Sequence, residues 1–469
     1  MFRTFFGLFA LLLSVACQVS PSHPSLSENS LPPLMQVRNF VASTSFNDNY
    51  RLSPDGTFMV YQGVAKLRSA IFIKDLTGKT ATRVMRFKGD APKPFWAADS
   101  KHVLFHMDVD GRENYHVFAV NVDDAAMSRR DLTPFESTKS FVARVPRQDS
   151  ATIYVMHNNR NKEIFDLYKL DLESGQLRLI FENNGGVENL LLDDLGNVKA
   201  RVYRDGVERQ LQVSSAIDQW STVLEFGQFD SVHPIDFNES GETLYLSSNH
   251  DSDKHQLIEL NLATGEQSVL FADDDYDLGW TTLSSKDSRL LFVSVEGEYP
   301  RIEFFDGSFE KTLAPFVEYG KHGMNVMSVT RAEDAMTVAR YNSRGANFYY
   351  YDLTTGESRL LGNGAMHKYS DTLTSQIPIK VKARDGLPLE GYLSLPNGTS
   401  ENSKLPTVLL VHGGPWARDT WGYDTATQFL TNRGYAVLSI NYRGSSGYGK
   451  QFMMAATREF AGKMHDDLA

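Results

Sequence analysis

The stretch LSPDGTFMVYQ, residues 52–62, joins a tight turn to an apolar strand. Its Pro-Asp-Gly step favours the turn because proline presets one backbone angle and glycine tolerates a positive φ. The residues after the glycine are mostly apolar and include β-formers, which is typical of a strand with a buried face. The stretch therefore predicts the first hairpin of a β-rich domain.

Turns of this kind recur along the chain at an even spacing. Their middle positions are Asp55, Asp99, Asp149, Leu195, Ser240, Asp287 and Asp334, which lie 44, 50, 46, 45, 47 and 47 residues apart. A second kind of turn closes several units, at Asp75, Asp171, Asn261 and Asp352. A repeat of this length with about four strands is typical of a propeller blade, so residues 45–365 are predicted to form an all-β seven-bladed propeller. A β-sandwich is the alternative, and it would require the even spacing to be accidental.

The pattern changes to alternating strands and helices in residues 366–469. The predicted elements are a hairpin over 377–396, buried strands at 407–411 and 435–442, and helical segments at 424–434 and from Lys450 onward. Continuous apolar strands separated by helices are typical of an α/β layer with a mostly parallel sheet. Ligands of such sheets bind at the carboxyl ends of the strands.

The turn His412-Gly413-Gly414-Pro415 follows the first of these buried strands. Glycines at such a position let backbone N–H groups approach a negative group, because no Cβ blocks the way. We therefore interpret Gly413 and Gly414 as a candidate oxyanion loop. His412 and Pro415 are candidates for the wall of a substrate pocket beside it.

Three neighbouring side chains each allow two interpretations. His412 could be a general base, but no serine or acidic partner follows from the sequence, which favours a role in shaping the loop. Arg443 could bind a substrate carboxylate, or it could tie its own turn to Asp466 or Asp467. Tyr448 could line the substrate pocket or simply pack.

Four motifs follow the predicted propeller in a fixed order: RDGLPLEGYLSLP, LLVHGGP, NYRGSSGYG and GKMHDDL. In this arrangement the chain resembles the prolyl oligopeptidase family of serine peptidases, and within it the acylaminoacyl-peptidase and dipeptidyl-peptidase-like branch. The resemblance implies that residues 366–469 are the first part of an α/β-hydrolase domain. It also implies short peptide substrates, a propeller that restricts their access, and an oxyanion N–H from Gly414.

The nucleophile that this resemblance implies is missing from the sequence. No Gly-x-Ser-x-Gly occurs in the 469 residues, and GSSGY fails because Tyr448 stands at the second glycine position. In the family the nucleophile follows the MHDDL segment, with the catalytic Asp and His later still. We expect the sequence to be the front part of a longer gene product and inactive by itself. The alternative is a chain that has lost catalysis and kept binding. Without the missing part, the strands at 407–411 and 435–442 would lack their natural neighbours and leave a sheet edge open.

The stretch HMDVDGRENYHVF, residues 106–118, carries acidic residues at a turn. Its glycine directly follows the second Asp, which breaks the EF-hand spacing and favours a hairpin turn. A similar loop in the family's propellers makes Arg112 and Glu113 candidates for binding a peptide terminus. His102 and His106 are four residues apart on a strand, about 13 Å, so no metal site is predicted there.

The first residues predict secretion across a membrane. Arg3, an apolar stretch and small residues form a secretory signal over residues 1–17. The stretch SVAC resembles a bacterial lipoprotein cleavage box with Cys17 as the acylated residue, and an ordinary secretory signal is the alternative. Residues 18–44 are predicted to be a Ser/Pro-rich tether and lead-in.

The position of the chain in the cell follows from these residues. Gln18 after the cysteine resembles the signal for outer-membrane sorting, so a periplasmic protein with a lipid anchor is expected. A net charge of −11 without a Lys/Arg cluster disfavours nucleic-acid binding. No cofactor or metal is expected, and the expected partners are short peptides. A propeller-based binding lipoprotein without catalysis is the alternative function, and hydrolysis of other acyl compounds stays open.

Overall fold

The computed structural model describes residues 33–41, 47–66, 68–78, 81–89, 91–148, 150–216 and 219–469. The predicted signal over 1–17, with Cys17, lies outside these residues, as do most of the tether and Asp149 of the third repeated turn. Within the described ranges, no helix is long and apolar enough to cross a membrane.

Seven successive antiparallel sheets, here called blades 1 to 7, occupy the described residues between Asp48 and Asn363. Blade 1 has the strands Asp48–Leu52, Phe58–Ala65, Arg68–Asp75 and Ala81–Arg86, and blade 2 has Phe95–Trp96, His102–Asp108, Tyr115–Asn121 and Arg130–Asp131. Blade 3 has Ser140–Arg144, Thr152–Asn161, Ile164–Asp171 and Leu177–Phe181, and blade 4 has Val187–Leu192, Val198–Asp205, Glu208–Ala216 and Gln219–Phe226. Blade 5 has Val232–Phe237, Thr243–Ser248, Gln256–Asn261 and Gln267–Phe271. Blade 6 has Leu278–Leu283, Leu290–Glu296 and Pro300–Phe304, and blade 7 has Gly323–Val329, Ala335–Asn342, Gly345–Asp352 and Ser358–Asn363. The predicted seven-bladed propeller is confirmed.

Blade 6 departs from the expected four strands. Where the other blades have a fourth strand, the described chain forms the helix Gly307–Leu313. Asp306 caps this helix by accepting hydrogen bonds from the backbone N–H groups of Ser308 and Phe309. Phe309 and Leu313 are buried against blade 7, so the helix supplies the apolar contact that a fourth strand would have made.

The ring is closed by side chains between blades 7 and 1. Tyr50 and Met59 of blade 1 pack in one apolar cluster with Ala335 and Phe348 of blade 7. In the described chain, similar clusters join each of the remaining pairs of neighbouring blades. Burying a large apolar side chain contributes about 1.5–3 kcal/mol, so the ring is held by a continuous series of such contacts.

The chain after the propeller is here called the α/β segment. It forms a four-stranded sheet and several helices. Its strands, in spatial order, are Gln376–Lys382, Pro388–Ser394, Ala436–Asn441 and Thr407–Leu409. The last two are parallel, and the other pairs are antiparallel. The remaining helices and 3₁₀ turns of the described chain are Arg38–Val41, Ala314–Phe316, His367–Tyr369, Thr425–Thr431, Lys450–Met454 and Lys463–Asp466.

The strand predicted at 407–411 is shorter and less buried than expected. It spans Thr407–Leu409 and forms an edge of the sheet, with Leu409 37% and Val411 43% exposed. The prediction of burial on both faces is therefore wrong for these side chains. No described strand lies beside this edge, as the expectation of an open edge required.

The turn and helix start at 447–450 are fixed to blades 5 and 6 by polar contacts. Lys450 Nζ lies 2.7 Å from Asp230 Oδ1, and the N–H of Gly449 donates to Asp277 Oδ2 over 3.1 Å. Gly449 has a φ of 92°, in the region that favours glycine, so another residue would be strained at this position. These contacts set where the α/β segment sits on the ring.

The described part of the lead-in, residues 33–41, packs on the α/β segment. Phe40 contacts Phe429 edge to face, and the N–H of Met35 donates to Asn432 Oδ1 over 2.9 Å. This part of the predicted tether and lead-in is therefore docked by apolar and polar contacts.

Replacing Lys450 by alanine is expected to loosen the attachment at 447–450. Loss of a hydrogen bond to a charged group, worth about 1.5 kcal/mol or more, should speed amide exchange there about tenfold. Hydrogen–deuterium exchange with mass spectrometry measures this. Lys463→Ala is the control, since Lys463 is 53% exposed and 3.6 Å from Asp385. Equal exchange in both variants would contradict the prediction.

Candidate functional site

The turn that follows the edge strand presents free backbone amides. Gly413 and Gly414 are both exposed, and neither N–H is paired with an acceptor in the described residues. Trp416, just beyond them, is 74% exposed. An anion could therefore reach these N–H groups without displacing protein.

Gly414 is required by the shape of the turn, whereas Gly413 is not. Gly414 has a φ of 135°, in the region that side chains rarely adopt. A Cβ there would lie 2.7 Å from the N of Trp416 and 3.1 Å from the N of Ala417. A Cβ on Gly413 would meet nothing within 4 Å. The two glycines thus offer a matched pair for substitution.

His412 has a serine partner that the sequence did not reveal. Its Nε2 lies 3.0 Å from Ser445 Oγ, and its ring stacks on Tyr442 with centroids 4.6 Å apart. Ser445 is fully buried, and its hydroxyl donates to the carbonyl oxygen of Tyr442 over 2.7 Å. His412 Nδ1 lies 2.8 Å from the carbonyl oxygen of Gly413, which can only accept. This arrangement fixes the loop and leaves the serine inaccessible to a substrate.

Arg443 is held by two carboxylates. It is 4% exposed, and its guanidinium lies 2.7–2.8 Å from Asp467 and 2.9–3.0 Å from Asp385. The Asp467 side chain is fully buried. Hydrogen bonds from Arg443 hold the pKa of Asp385 well below its ordinary range. Of the two interpretations, the structure favours the ion pair with Asp467 over binding of a substrate carboxylate.

Tyr448 is packed and hydrogen-bonded. Its hydroxyl accepts from Asn441 Nδ2 over 2.7 Å and from Arg418 Nη2 over 2.9 Å. Its ring contacts Tyr276 and Phe452, and the Arg418 guanidinium lies over the ring at 4.4 Å. Burial raises the pKa of Tyr448 to about 12. The side chain thus joins the turn to blade 6 and to the strand before it.

Two acidic groups near Arg418 were not found from the sequence. Asp419 Oδ2 is buried without a hydrogen-bond partner in the described chain, and burial raises the pKa of this carboxyl, opposed by nearby His412. Burial also raises the pKa of Glu296 of blade 6, opposed by the charge of Arg418. No sequence motif marks Glu296, because only the packing of blade 6 on the turn brings it near Arg418.

Arg112 and Glu113 lie at the tip of the hairpin predicted over 106–118, which the structure confirms between strands His102–Asp108 and Tyr115–Asn121. Both are exposed, and Glu113 lies 3.5 Å from Lys139. No contact in the described residues joins them to 412–415. The structure thus does not bring these two candidates together with the oxyanion loop.

The two histidines of the same hairpin have separate partners. His102 Nδ1 lies 2.6 Å from Asp99, and His106 Nε2 accepts from the N–H of Val142 over 3.1 Å. Across the described chain, no group of three or more His, Cys, Asp or Glu side chains is placed to hold a metal ion.

Comparison with known proteins gives a family match for the last part of the chain and similarity over most of the chain to several peptidases. Residues 421–469 match the prolyl oligopeptidase family. The chain is 29% identical to dipeptidyl aminopeptidase BIII of Pseudoxanthomonas mexicana, over 97% of this chain and 68% of that protein. It is 24% identical to dipeptidyl peptidase family member 6 of Caenorhabditis elegans, over 80% of this chain and 55% of that protein.

Solved structures share the fold. A prolyl endopeptidase is similar with a TM-score of 0.69 and 12% identity, over 92% of this chain and 66% of that one. A puromycin-hydrolysing peptidase of Mycobacterium tuberculosis gives 0.67 and 16%, over 94% and 72%. The chain thus spans between about half and three quarters of the length of these relatives. The predicted combination of a propeller with part of an α/β-hydrolase domain is confirmed.

Replacing Arg443 by alanine is expected to destabilise the protein by about 3–5 kcal/mol, because it leaves the buried Asp467 carboxylate without its cation. Chemical denaturation measures this. Arg384→Ala is the matched control: Arg384 pairs with Asp466 at the surface, where such pairs contribute about 0–1 kcal/mol. Similar losses in the two variants would show that Arg443 is not the anchor of the turn.

Proposed function

We propose that the protein is a serine peptidase acting on short peptides, because residues 421–469 match the prolyl oligopeptidase family and the described chain has the fold of solved prolyl oligopeptidase structures. Two relatives that align over most of this chain are named as a dipeptidyl aminopeptidase and a dipeptidyl peptidase family member, which supports peptides as the substrate class. The α/β fold alone would also allow ester hydrolysis.

The observation that carries the proposal is the exposed, unpaired N–H of Gly414. An oxyanion that forms when a serine attacks a peptide carbonyl needs such a donor, held in place before the reaction. Hydrogen bonds on both sides hold the turn: the N–H of Ala417 donates to the carbonyl oxygen of Pro415 over 2.8 Å, and the Tyr442 hydroxyl donates to that of His412 over 3.1 Å. Gly413 gives the open approach to the amide.

The propeller supports selection of substrates by size. The contacts of the α/β segment described above come from blades 5 and 6, through groups such as Asp230, Asp277 and Tyr276. Peptides would then reach the oxyanion loop from the space between the ring and the α/β segment. A propeller that restricts access in this way would admit short peptides and exclude folded proteins, so oligopeptides are the proposed substrates.

The 469-residue polypeptide by itself is proposed to bind peptides without cleaving them. Its sequence contains no Gly-x-Ser-x-Gly, and the serine beside a histidine, Ser445, is fully buried. A binding lipoprotein without catalysis, which is the alternative function, would also bind peptides without cleaving them. Peptide hydrolysis by a form of the protein that carries the motif would distinguish a peptidase from a binding protein.

Attachment to the outer membrane from the periplasmic side is a further part of the proposal. It is supported by the SVAC stretch with Cys17 and by Gln18 after it. Acylation would tether the protein to the membrane without a spanning segment. Metabolic labelling with a fatty-acid analogue, lost in Cys17→Ala, would support it, and unlabelled wild-type protein would contradict it.

A fluorophosphonate probe is expected to leave the 469-residue chain unlabelled, because Ser445, the serine beside His412, is fully buried and out of reach of the probe. Gel fluorescence and peptide mapping measure this, with an active serine peptidase in the same tube as the positive control. Labelling at Ser445 or at any other serine would show that this polypeptide has a nucleophile, and the proposed inactivity would be wrong.

Gly414→Ala is expected to lower kcat of an active form about 10²–10³-fold, because the Cβ displaces the turn and its oxyanion donor. KM should change little, since the ground-state carbonyl uses this donor weakly. Gly413→Ala is the matched control and should stay within a few-fold of wild type. Equal effects of the two substitutions on hydrolysis of a dipeptide nitroanilide would contradict the assignment of Gly414.

A further inference from the structure

A cavity of about 320 Å³ lies inside the ring, lined by the first strands of blades 1, 2 and 7 and by residues that follow the first strands of blades 1, 2, 3, 6 and 7. Arg51, Trp96, Arg147, Met327 and Arg331 are among the residues that line it. Its volume is at the lower end of the range of small-molecule sites, about 300–1,000 Å³. This space, the arginine cavity, is therefore large enough for a small ligand.

The arginine cavity is at the end of the channel away from the α/β segment. The innermost strand of blade 1 begins at Asp48, which shares a different cavity with Tyr423 of the α/β segment. The same strand ends at Leu52, which lines the arginine cavity together with Arg51. Strands rise about 3.3 Å per residue, so the two ends are about 13 Å apart. The arginine cavity is thus separate from the oxyanion loop.

The charges that line the arginine cavity are all positive. Three arginines contribute guanidinium groups, and no Asp or Glu is among its described lining residues. Arg147 is paired with Asp194 at 2.6 Å. Arg51 and Arg331 have no carboxylate within 4 Å among the described residues. Arg51 and Arg331 are therefore two lining arginines to which the described residues supply no carboxylate partner.

Both arginines keep N–H donors unused. Arg51 donates through Nε to Asn49 Oδ1 over 3.2 Å, and no described acceptor is paired with its Nη groups. Arg331 donates through Nε to the carbonyl of Arg147 over 3.0 Å and through Nη2 to that of Ala98 over 2.5 Å, which leaves Nη1. Half-buried cations with free donors favour an oxyanion as ligand. Burial lowers the pKa of Arg51, which agrees with a cation lacking a counter-charge.

The apolar part of the lining selects among oxyanions. Leu52, Trp96 and Met327 contribute apolar side chains beside the arginines. The Trp96 indole is fixed because its Nε1 donates to the carbonyl of Arg51 over 2.9 Å. Such a wall contacts a ligand with an apolar body, whereas inorganic phosphate has none. We propose that the arginine cavity binds a small organic carboxylate through Arg51 and Arg331, with its apolar body against Trp96.

The experiment is isothermal titration calorimetry of the full 469-residue chain with N-acetylphenylalanine, its amide and inorganic phosphate at low ionic strength. The carboxylate is expected to bind at least about tenfold more tightly than either of the other probes. Arg51→Gln should weaken its binding about tenfold, and Arg51→Lys should retain part of it. Arg86→Gln, which removes the same charge from an exposed position on the outer strand of the same blade, should change nothing.

Circular dichroism and thermal unfolding establish that each variant is folded before titration. The proposal is overturned if the wild-type chain binds none of the probes, or if Arg51→Gln binds the carboxylate as tightly as wild type does. Phosphate binding as tight as that of the carboxylate would also overturn it, because the apolar wall would then have no role. Because no step of hydrolysis enters these measurements, failure of this proposal leaves the proposed peptidase function untouched.

Discussion

The closure of the ring between blade 7 and blade 1 is the contact on which the rest of the structure depends. It is made by side chains: Tyr50 and Met59 pack against Ala335 and Phe348, and the Thr337 hydroxyl donates to the carbonyl oxygen of Tyr50 over 2.6 Å. An open ring would expose an apolar face at each end, as an isolated blade would. Once closed, the same ring both defines a central channel and provides a rigid platform for the α/β segment.

The oxyanion loop is positioned by two independent constraints. Parallel pairing of Thr407–Leu409 with Ala436–Asn441 brings the carboxyl ends of both strands, and so the turns at 412–415 and 443–449, to one edge of the sheet. The second turn is then fixed by Arg443, which pairs with Asp467, and by Lys450, which pairs with Asp230 of the propeller. The first turn rests on the second through His412 and Ser445, so its free amides are held by groups that are themselves anchored.

The two ends of the propeller channel differ in their chemistry. Toward the α/β segment the groups are mixed in charge: the charge of Arg418 opposes the raised pKa of Glu296, and Tyr276 donates to Glu390. At the far end, Arg331 reaches from blade 7 to the carbonyl groups of Ala98 and Arg147 in blades 2 and 3, and the described lining of the arginine cavity has three arginines and no Asp or Glu. An asymmetric channel of this kind can hold an anion at one end without presenting it to the oxyanion loop at the other.

The sequence by itself determined the number of blades, the change to an α/β pattern and the identity of the glycine turn, because turn chemistry and hydrophobic periodicity are local properties. It did not determine that Thr407–Leu409 is an exposed edge, that a helix replaces the last strand of blade 6, or that Ser445 lies beside His412. The arginine cavity was equally beyond it, since Arg51 and Arg331 are 280 residues apart in the sequence. Such features arise only when distant segments pack together, and the burial and charge that result depend on every neighbour at once.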